Sequence, residues 1–296
     1  MNVQRKPEWL RRPAGNAQET IAIKKLLRTS ALNTVCEEAR CPNISECFSR
    51  GTATFMILGD VCTRGCRFCA VTTGKPTFSA TKFREEAEHV ADAADALGLT
   101  HVVVTSVARD DLPDGGAEGF AFTIAALRRR LPEVTVEVLV PDFRGNDSAI
   151  DIVIEAAPDV INHNLETVPR LYRKVRPGAS YQRSLDLLSR VRSLNHSSRS
   201  GRSIVTKTGV MLGLGEQVDE VKSLMEDAAA IGVSMFTAGQ YMQPSREHLP
   251  VDSYLSLAEF DRYRALAEQA GFPQVFVGPL VRSSYHAGEF AASTEG

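Results

Sequence analysis

Residues 54–69 read Thr54-Phe55-Met56-Ile57-Leu58-Gly59-Asp60-Val61-Cys62-Thr63-Arg64-Gly65-Cys66-Arg67-Phe68-Cys69, and the organisation of the whole chain hangs on them. The run at 54–58 is short and apolar, in keeping with a buried strand. Three cysteines follow it directly in a CxxxCxxC spacing. Downstream, strand and helix patterns alternate. A helix is expected at 82–97, where Phe83, Ala87, Val90, Ala94 and Leu97 recur at steps of four and three and Gly98 ends the run. A β-branched strand is expected at 101–105, a helix at 117–131, a strand at 134–140, a helix at 149–157 and a strand at 159–165. Helical patterns then cover 168–175 and 181–194, a fifth strand 203–211, a helix marked by Val218, Val221, Leu224, Met225 and Ala228, and a sixth strand 233–238. A last helix at 256–270 opens on Ser256 and Glu259, a capping-box spacing, and closes at Gly271.

Strands that read as unbroken apolar runs, alternating with helices, indicate a parallel sheet covered by helices. Right-handed crossovers then give an open doubly wound sheet or a barrel. Six units fall short of the eight in a complete barrel. The expectation is an α/β fold, a partial (β/α)6 TIM-type barrel over residues 51–272, with an N-terminal extension at 1–50 and a C-terminal segment at 273–296. Residues 196–202 (HSSRSGR) read as a polar loop rather than a linker between domains.

The chain has 296 residues, with 34 Lys and Arg against 36 Asp and Glu, and is 43% hydrophobic and 24% charged. That balance excludes a disordered chain. No apolar run approaches the roughly 18–20 residues of a bilayer span, so no membrane role is expected. Residues 1–50 carry nine basic and five acidic residues, but no dense basic run is interleaved with aromatics, so nucleic-acid binding has no support. The triplet at 128–130 (RRR) falls at a helix end, where cations favour the dipole. The N-terminus lacks an apolar signal core, and Glu8 and Glu19 interrupt any organellar presequence, so a cytoplasmic protein is expected.

All six cysteines lie between Cys36 and Cys69. In a reducing compartment such a group points to metal ligation or redox chemistry rather than structural disulfides. They divide into two sets of three. Cys62, Cys66 and Cys69 share one tight loop, which Gly65 allows to turn sharply. Three thiolates there can bind three irons of a [4Fe–4S] cube and leave the fourth open, and an open position separates a reactive site from a closed structural one. Phe68 offers a flat apolar face for an adenine ring. Zinc is the competing reading, but zinc loops favour CxxC pairs and four ligands. The first set, Cys36, Cys41 and Cys47, is spaced CxxxxCxxxxxC and also lacks a fourth ligand. Residues 282–287, near the C-terminus, read RSSYHA.

CxxxCxxC with an aromatic before its last cysteine, at the end of the first strand, resembles the radical S-adenosylmethionine superfamily. The resemblance implies that the open iron chelates the amino and carboxylate groups of S-adenosylmethionine, which is cleaved to methionine and a 5′-deoxyadenosyl radical. The combination of CxxxxCxxxxxC, CxxxCxxC and RSSYHA is narrower and is similar to the lipoyl synthase family, through essentially the whole chain. Further segments agree: residues 105–107 (TSV), 109–116 (RDDLPDGG), 162–168 (NHNLETV) and 240–245 (QYMQPS). The likeness implies a sulfurtransferase with two [4Fe–4S] clusters. The auxiliary one would be held by Cys36, Cys41, Cys47 and a serine of RSSY, Ser283 being expected and Ser284 the alternative. A serine oxygen is harder than thiolate and a poorer partner for cluster iron, so it can leave. Sulfur would enter carbons 6 and 8 of an octanoyl chain on a lysine of a lipoyl carrier, an H protein or an E2 lipoyl domain. Two S-adenosylmethionine molecules would be used per product, and the auxiliary cluster would donate two sulfides. An external donor such as flavodoxin or ferredoxin is implied. The rivals are another radical sulfur-inserting enzyme and a non-catalytic iron–sulfur protein.

Barrel logic gathers functional groups where strands end at their C-terminal edge. That singles out Thr105 and Ser106, then Asn164 and Glu166, whose spacing of two on a strand would point both the same way. Met211 and Gly213 lie at the end of the fifth strand and Gln240 at the end of the sixth. Each has a plainer reading: Thr105 or Ser106 as a helix cap, Glu166 in a surface ion pair, Gly213 in a turn. Asp110, Asp111 and Asp114 equally suit a polar capped loop, and His163 and His286 read as hydrogen-bonding residues rather than ligands.

Overall fold

The computed structural model describes residues 6–10, 32–34, 43, 46–47, 52–195 and 203–284. Ten strands and seven helices are described. The strands are β1 (Asn33–Thr34), β2 (Thr52–Ile57), β3 (Val61–Cys62), β4 (Thr72–Thr73), β5 (His101–Ser106), β6 (Thr135–Leu139), β7 (Val160–Asn162), β8 (Val205–Leu212), β9 (Met235–Gln240) and β10 (Gln274–Val277). The helices are α1 (Phe83–Ala96), α2 (Ala117–Arg130), α3 (Asp147–Glu155), the single turn α4 (Tyr172–Val175), α5 (Tyr181–Asn195), α6 (Val218–Ala230) and α7 (Leu257–Gln269). One sheet runs β1-β2-β5-β6-β7-β8-β9-β10, so among the described residues it has two ends and does not close. From β2 to β10 every pairing in it is parallel, and only β1 is antiparallel. β3 and β4 form a separate parallel pair.

The helices cover the outside because each carries an apolar stripe. α1 buries Phe83, Ala87, Val90 and Ala94, and α2 buries Phe120, Ile124 and Leu127. α7 begins with the capping box of Ser256 and Glu259, Ser256 Oγ accepting from the Glu259 amide at 3.3 Å. The arginines at the end of α2 pair with Asp159, Glu88 and Asp95. Among the described residues no helix is long and apolar enough to cross a membrane.

Three features differ from the periodicity. The seventh parallel strand, β10, falls in the segment expected to lie beyond the barrel. Its four residues, QVFV, lie along β9 in register Val275↔Phe236, too short a run to announce itself. The strand expected at 159–165 ends at Asn162, because the residues after it leave the ladder for the mouth of the barrel. The helix expected at 168–175 is a 3-10 turn, Pro169–Leu171, followed by α4. The loop at 196–202 lies outside the described residues.

The inside of the barrel is layered. Val103 and Met235 pack with Val205 and Phe276 at its base. Nearby, Lys207 Nζ donates to both oxygens of Glu137 at 3.0 and 3.2 Å, Asn162 Nδ2 adds a bond at 3.1 Å, and His101 Nε2 lies 3.5 Å away. Towards the C-terminal ends of the strands the interior opens.

Candidate active site

A cavity of about 520 Å³ occupies that open end. Cys62, Cys66 and Cys69 line it, together with Cys47, Ser283 and Ser284. Cys36, Cys41 and His286 lie outside the described residues.

The turn out of β2 delivers the cysteine loop. Leu58 takes a left-handed backbone (φ 71°), a strained state for a non-glycine residue that its surroundings impose. Its amide donates to Glu86 Oε2 at 2.8 Å and its carbonyl accepts from Arg109 at 3.2 Å. Its side chain fits because α2 carries Gly119, where a Cβ would meet Leu58 Cδ2 at 2.4 Å. Burial pushes the Glu86 carboxyl up to about 7.

Each part of the loop is then held. Cys62 Sγ accepts from the amides of Arg64 and Ala108 at 3.4 and 3.3 Å. The Arg67 amide donates to Val175 O at 2.9 Å, and the Leu249 amide to Arg67 O at 3.0 Å. His248 Nε2 stands 3.0 Å from Cys69 O, with Ser245 Oγ 2.8 Å from Nδ1. A carbonyl can only accept, so Nε2 carries the proton and Ser245 donates to Nδ1. Arg64 forks onto Asp110 at 2.7 Å twice and reaches the fully buried Asp142 at 2.6 Å. Asp114 caps α2 through the amides of Gly116 and Glu118. Of the three aspartates, Asp110 therefore anchors the loop and Asp114 serves as a cap.

Burial pushes the Cys66 thiol up to about 12, Arg176 opposing and the other two cysteines adding to the shift. Such a thiol resists ionisation unless a cation compensates, and metal ligation does so outright. Cys62, Cys66 and Cys69 all line the one cavity, and three thiols on one loop are the soft donor set that suits an iron–sulfur cluster, one cysteine to each of three irons, whereas a closed zinc site asks for a fourth ligand.

Facing it are Asn164, Glu166 and Arg176. Asn164 and Glu166 share this wall for a reason other than strand alternation. Past the end of β7, Glu166 adopts φ 65°, its amide donating to Gly209 O and its carbonyl accepting from Met211, both at 2.9 Å. Asn164 Nδ2 donates to Glu166 Oε1 at 3.2 Å. Burial raises the Glu166 carboxyl above the ordinary range, while Arg176 and Asn164 oppose the shift. Arg176 Nη1 donates to Asn164 O at 2.7 Å. Four buried polar atoms on residues lining the cavity have no partner among the described residues: Ser106 Oγ, Asn164 Oδ1 and Arg176 Nε on this side, and Asn43 Oδ1 elsewhere in the lining. Buried polar groups are normally satisfied, so this wall suits a ligand with its own donors and acceptors. Phe68 and Met211 also line the cavity.

Other predicted positions are engaged within the protein. Thr105 Oγ1 donates to Leu139 O at 2.9 Å. Gln240 lines the cavity, yet its Nε2 donates to the carbonyls of Leu212, Tyr241 and Ser253 and its Oε1 accepts from Leu255. Gly213 (φ 96°) lies behind Gln240, where a Cβ would fall 2.3 Å from Gln240 Nε2. His163 hydrogen-bonds Val140 O at 2.8 Å and Ser184 Oγ at 2.9 Å, and burial pulls its imidazole down to about 4.

Asn43 and the segment at 278–284 meet at this cavity. Asn43 Nδ2 donates to Leu280 O at 2.7 Å across 237 positions, and the Gly278 amide donates to Ala238 O at 3.0 Å. Sequence reasoning missed Arg64, Arg176, His248 and Asn43. Arg64 and Asn43 had a signal, since each stands between two cysteines of a set. Arg176 and His248 had none, because only folding brings them to the loop.

Residues 56–228 match the Radical SAM superfamily. The chain is 53% identical to the lipoyl synthase of Methylococcus capsulatus over 289 residues, covering 97% of this chain and 87% of that one. It is 54% identical to the lipoyl synthase of Caldanaerobacter subterraneus over 283 residues, 96% of each chain. Among solved structures, Streptococcus suis SuiB bound to S-adenosylmethionine aligns with a TM-score of 0.56 at 12% identity, over 88% of this chain and 60% of that longer one. Methylornithine synthase (PylB) aligns with a TM-score of 0.53 at 13% identity, over 87% of this chain and 81% of that one. At such identities the structures speak for the fold alone.

Proposed function

Because the chain belongs to the lipoyl synthase family of radical S-adenosylmethionine enzymes, we propose that it inserts sulfur at carbons 6 and 8 of an octanoyl chain carried on a lysine of a lipoyl carrier protein. One observation carries the reading: a single cavity is lined by Cys62, Cys66 and Cys69 and also by Cys47 and Ser283. The site that generates the radical and the site that yields sulfur would then address the same bound chain.

Cys62, Cys66 and Cys69 would hold one [4Fe–4S] cluster, and Cys36, Cys41, Cys47 and Ser283 the auxiliary one. When bound, the first supplies the electron that cleaves S-adenosylmethionine and the second supplies sulfide. The protein's own part is binding, orientation and shielding. Arg64, held by Asp110 and Asp142, and His248, held by Ser245, fix the cysteine loop from two sides. Glu166 and Asn164 offer an acceptor pair to the cofactor's ammonium or ribose hydroxyls, and Phe68 a face to its adenine. Met56, Leu139, Val140 and Met211 line the same space with apolar surface, which suits an alkyl chain and keeps water from a carbon radical. The open edge of the sheet leaves room for a tethered arm. Flavodoxin or ferredoxin would supply electrons.

The test is anaerobic reconstitution with iron and sulfide, then assay on an octanoyl-lysyl peptide with S-adenosylmethionine and a reductant. The expected product has gained two sulfurs, less two hydrogens when isolated as the disulfide, with two 5′-deoxyadenosines formed per lipoyl group. S-adenosylmethionine cleavage without sulfur entering the peptide would refute the reading.

A further inference from the structure

We propose that Asn43 is the positioning residue that brackets the serine-bearing end of the chain to the first cysteine set. The proposal rests on the reading that Ser283 closes the auxiliary site. Asn43 stands between Cys41 and Cys47 and is 1% exposed. Its main-chain carbonyl accepts from the Cys47 amide at 2.9 Å and so fixes the turn that carries Cys47. Its side-chain Nδ2 donates to Leu280 O at 2.7 Å, three residues before Ser283. One residue thus holds Cys47 through its backbone and the Ser283 segment through its amide.

The other hold on that segment comes from the sheet. The Gly278 amide donates to Ala238 O at 3.0 Å, and the Gln240 amide reaches Pro279 O at 3.4 Å. Gly239 lets the segment lie directly on β9: a Cβ there would meet Val281 O at 2.0 Å. The segment rests on β9 from one side and hangs from Asn43 on the other.

The residue type follows from the chemistry. Leu280 O is an acceptor, so the bracket must donate; aspartate has the same shape but would set oxygen against oxygen. Asn43 Oδ1 is buried with no partner among the described residues, and Asn43 lines the cavity, so the same amide sets an acceptor beside the site. Three residues span at most about 10 Å, so a tie at Leu280 keeps Ser283 within reach of Cys47 while leaving it room to move. Holding the segment is thereby separated from holding the serine oxygen. When the oxygen leaves the cluster the serine stays tethered, and its return is intramolecular.

The test is amide hydrogen exchange on the full chain, first cluster-free and then anaerobically reconstituted. In the cluster-free chain, Asn43→Asp and Asn43→Ala are each expected to speed exchange at Val281 and its neighbours by about fivefold or more, the factor for losing one net hydrogen bond. Gly239→Ala, which pushes Val281 while leaving Asn43 intact, should speed the same amides. In the reconstituted chain Asn43→Asp should blur the Mössbauer signature of the oxygen-ligated iron at unchanged iron content, and Asn43→Gln, which keeps the donor, should partly restore it. Unchanged exchange in both Asn43 variants overturns the bracket, most plainly if Gly239→Ala still accelerates it. Faster exchange with an unaltered iron signature overturns its link to the serine ligand. A wild-type chain reconstituting only about four irons refutes the serine-ligand reading instead, and exchange in the cluster-free chain still decides the bracket.

Discussion

Replacing Lys207 by Met strands a carboxylate inside the barrel. In the native chain the Lys207 and Glu137 side chains are 0% and 1% exposed, and Nζ lies 3.0 Å from Oε1. Burial alone would push the Glu137 carboxyl up, but Lys207 and His101 outweigh it and hold the group down to about 2. Removing one member of such a pair costs about 3–5 kcal/mol at neutral pH, because the remaining charge is left uncompensated. For a chain of this size that lowers Tm by about 5–8 °C. The sign of the pH dependence also reverses. With its native value below the unfolded value of about 4.3, wild-type Glu137 contributes stability above that pH, lost as pH falls towards 2. Without Lys207, burial lifts the native value above the unfolded one, so stability is lost as pH rises. The gap between the two proteins should therefore shrink by about 2 kcal/mol from pH 7 to pH 5. Urea unfolding of both chains at the two pH values measures it. Glu137→Leu combined with Lys207→Met should recover most of the loss, since an apolar pair needs no compensation. A single variant within about 1 kcal/mol of wild type at pH 7, or an equal gap at both pH values, would refute the reasoning.

The site yields three further predictions. Cys66→Ala should reconstitute about four irons rather than about eight and form no 5′-deoxyadenosine, by iron assay and chromatography; retained cofactor cleavage would remove the cysteine loop from the chemistry. Ser283→Ala should still cleave S-adenosylmethionine but yield at least tenfold less lipoyl product by mass spectrometry, and normal lipoyl formation would dismiss the serine as a ligand. Because burial raises the Glu166 carboxyl, that group protonates sooner than an exposed one as pH falls. S-adenosylmethionine affinity in equilibrium dialysis should therefore weaken on acidification, and Glu166→Gln should bind weakly at every pH with that dependence flattened.

Much of the barrel was legible because its signals are local. Residues 102–105 (VVVT) are a run of β-branched side chains buried on both faces, and α1 and α7 carry apolar periods with glycines just past their ends. The cysteine loop was legible for a similar reason: three ligands within eight residues need little tertiary information to be brought together. β10 was not legible, since four residues at a sheet edge have no period to detect and their pairing partner lies 39 positions earlier in the register Gln274↔Met235.

The facing wall shows a subtler limit. Asn164 and Glu166 were singled out because alternate residues on a strand share a face, yet neither lies on a strand. What sets them side by side is the left-handed backbone at Glu166, and nothing in a glutamate announces φ 65°. That conformation is imposed by two hydrogen bonds to β8, from residues more than forty positions later. Gln240 illustrates the converse. It ends its strand as expected and lines the cavity, but its amide is consumed by the carbonyls of Leu212, Tyr241 and Ser253, so a position that alternation marks as a ligand holds the β9–α7 connection in place. Alternation reports which way a side chain faces; whether it has bonding capacity left for a ligand depends on backbone carbonyls that only the fold brings near. The unpartnered atoms of Ser106, Asn164 and Arg176 are therefore a better guide to the cofactor's position than strand register, and the first two belong to residues already marked by the sequence while Arg176 enters only through the turn that follows α4.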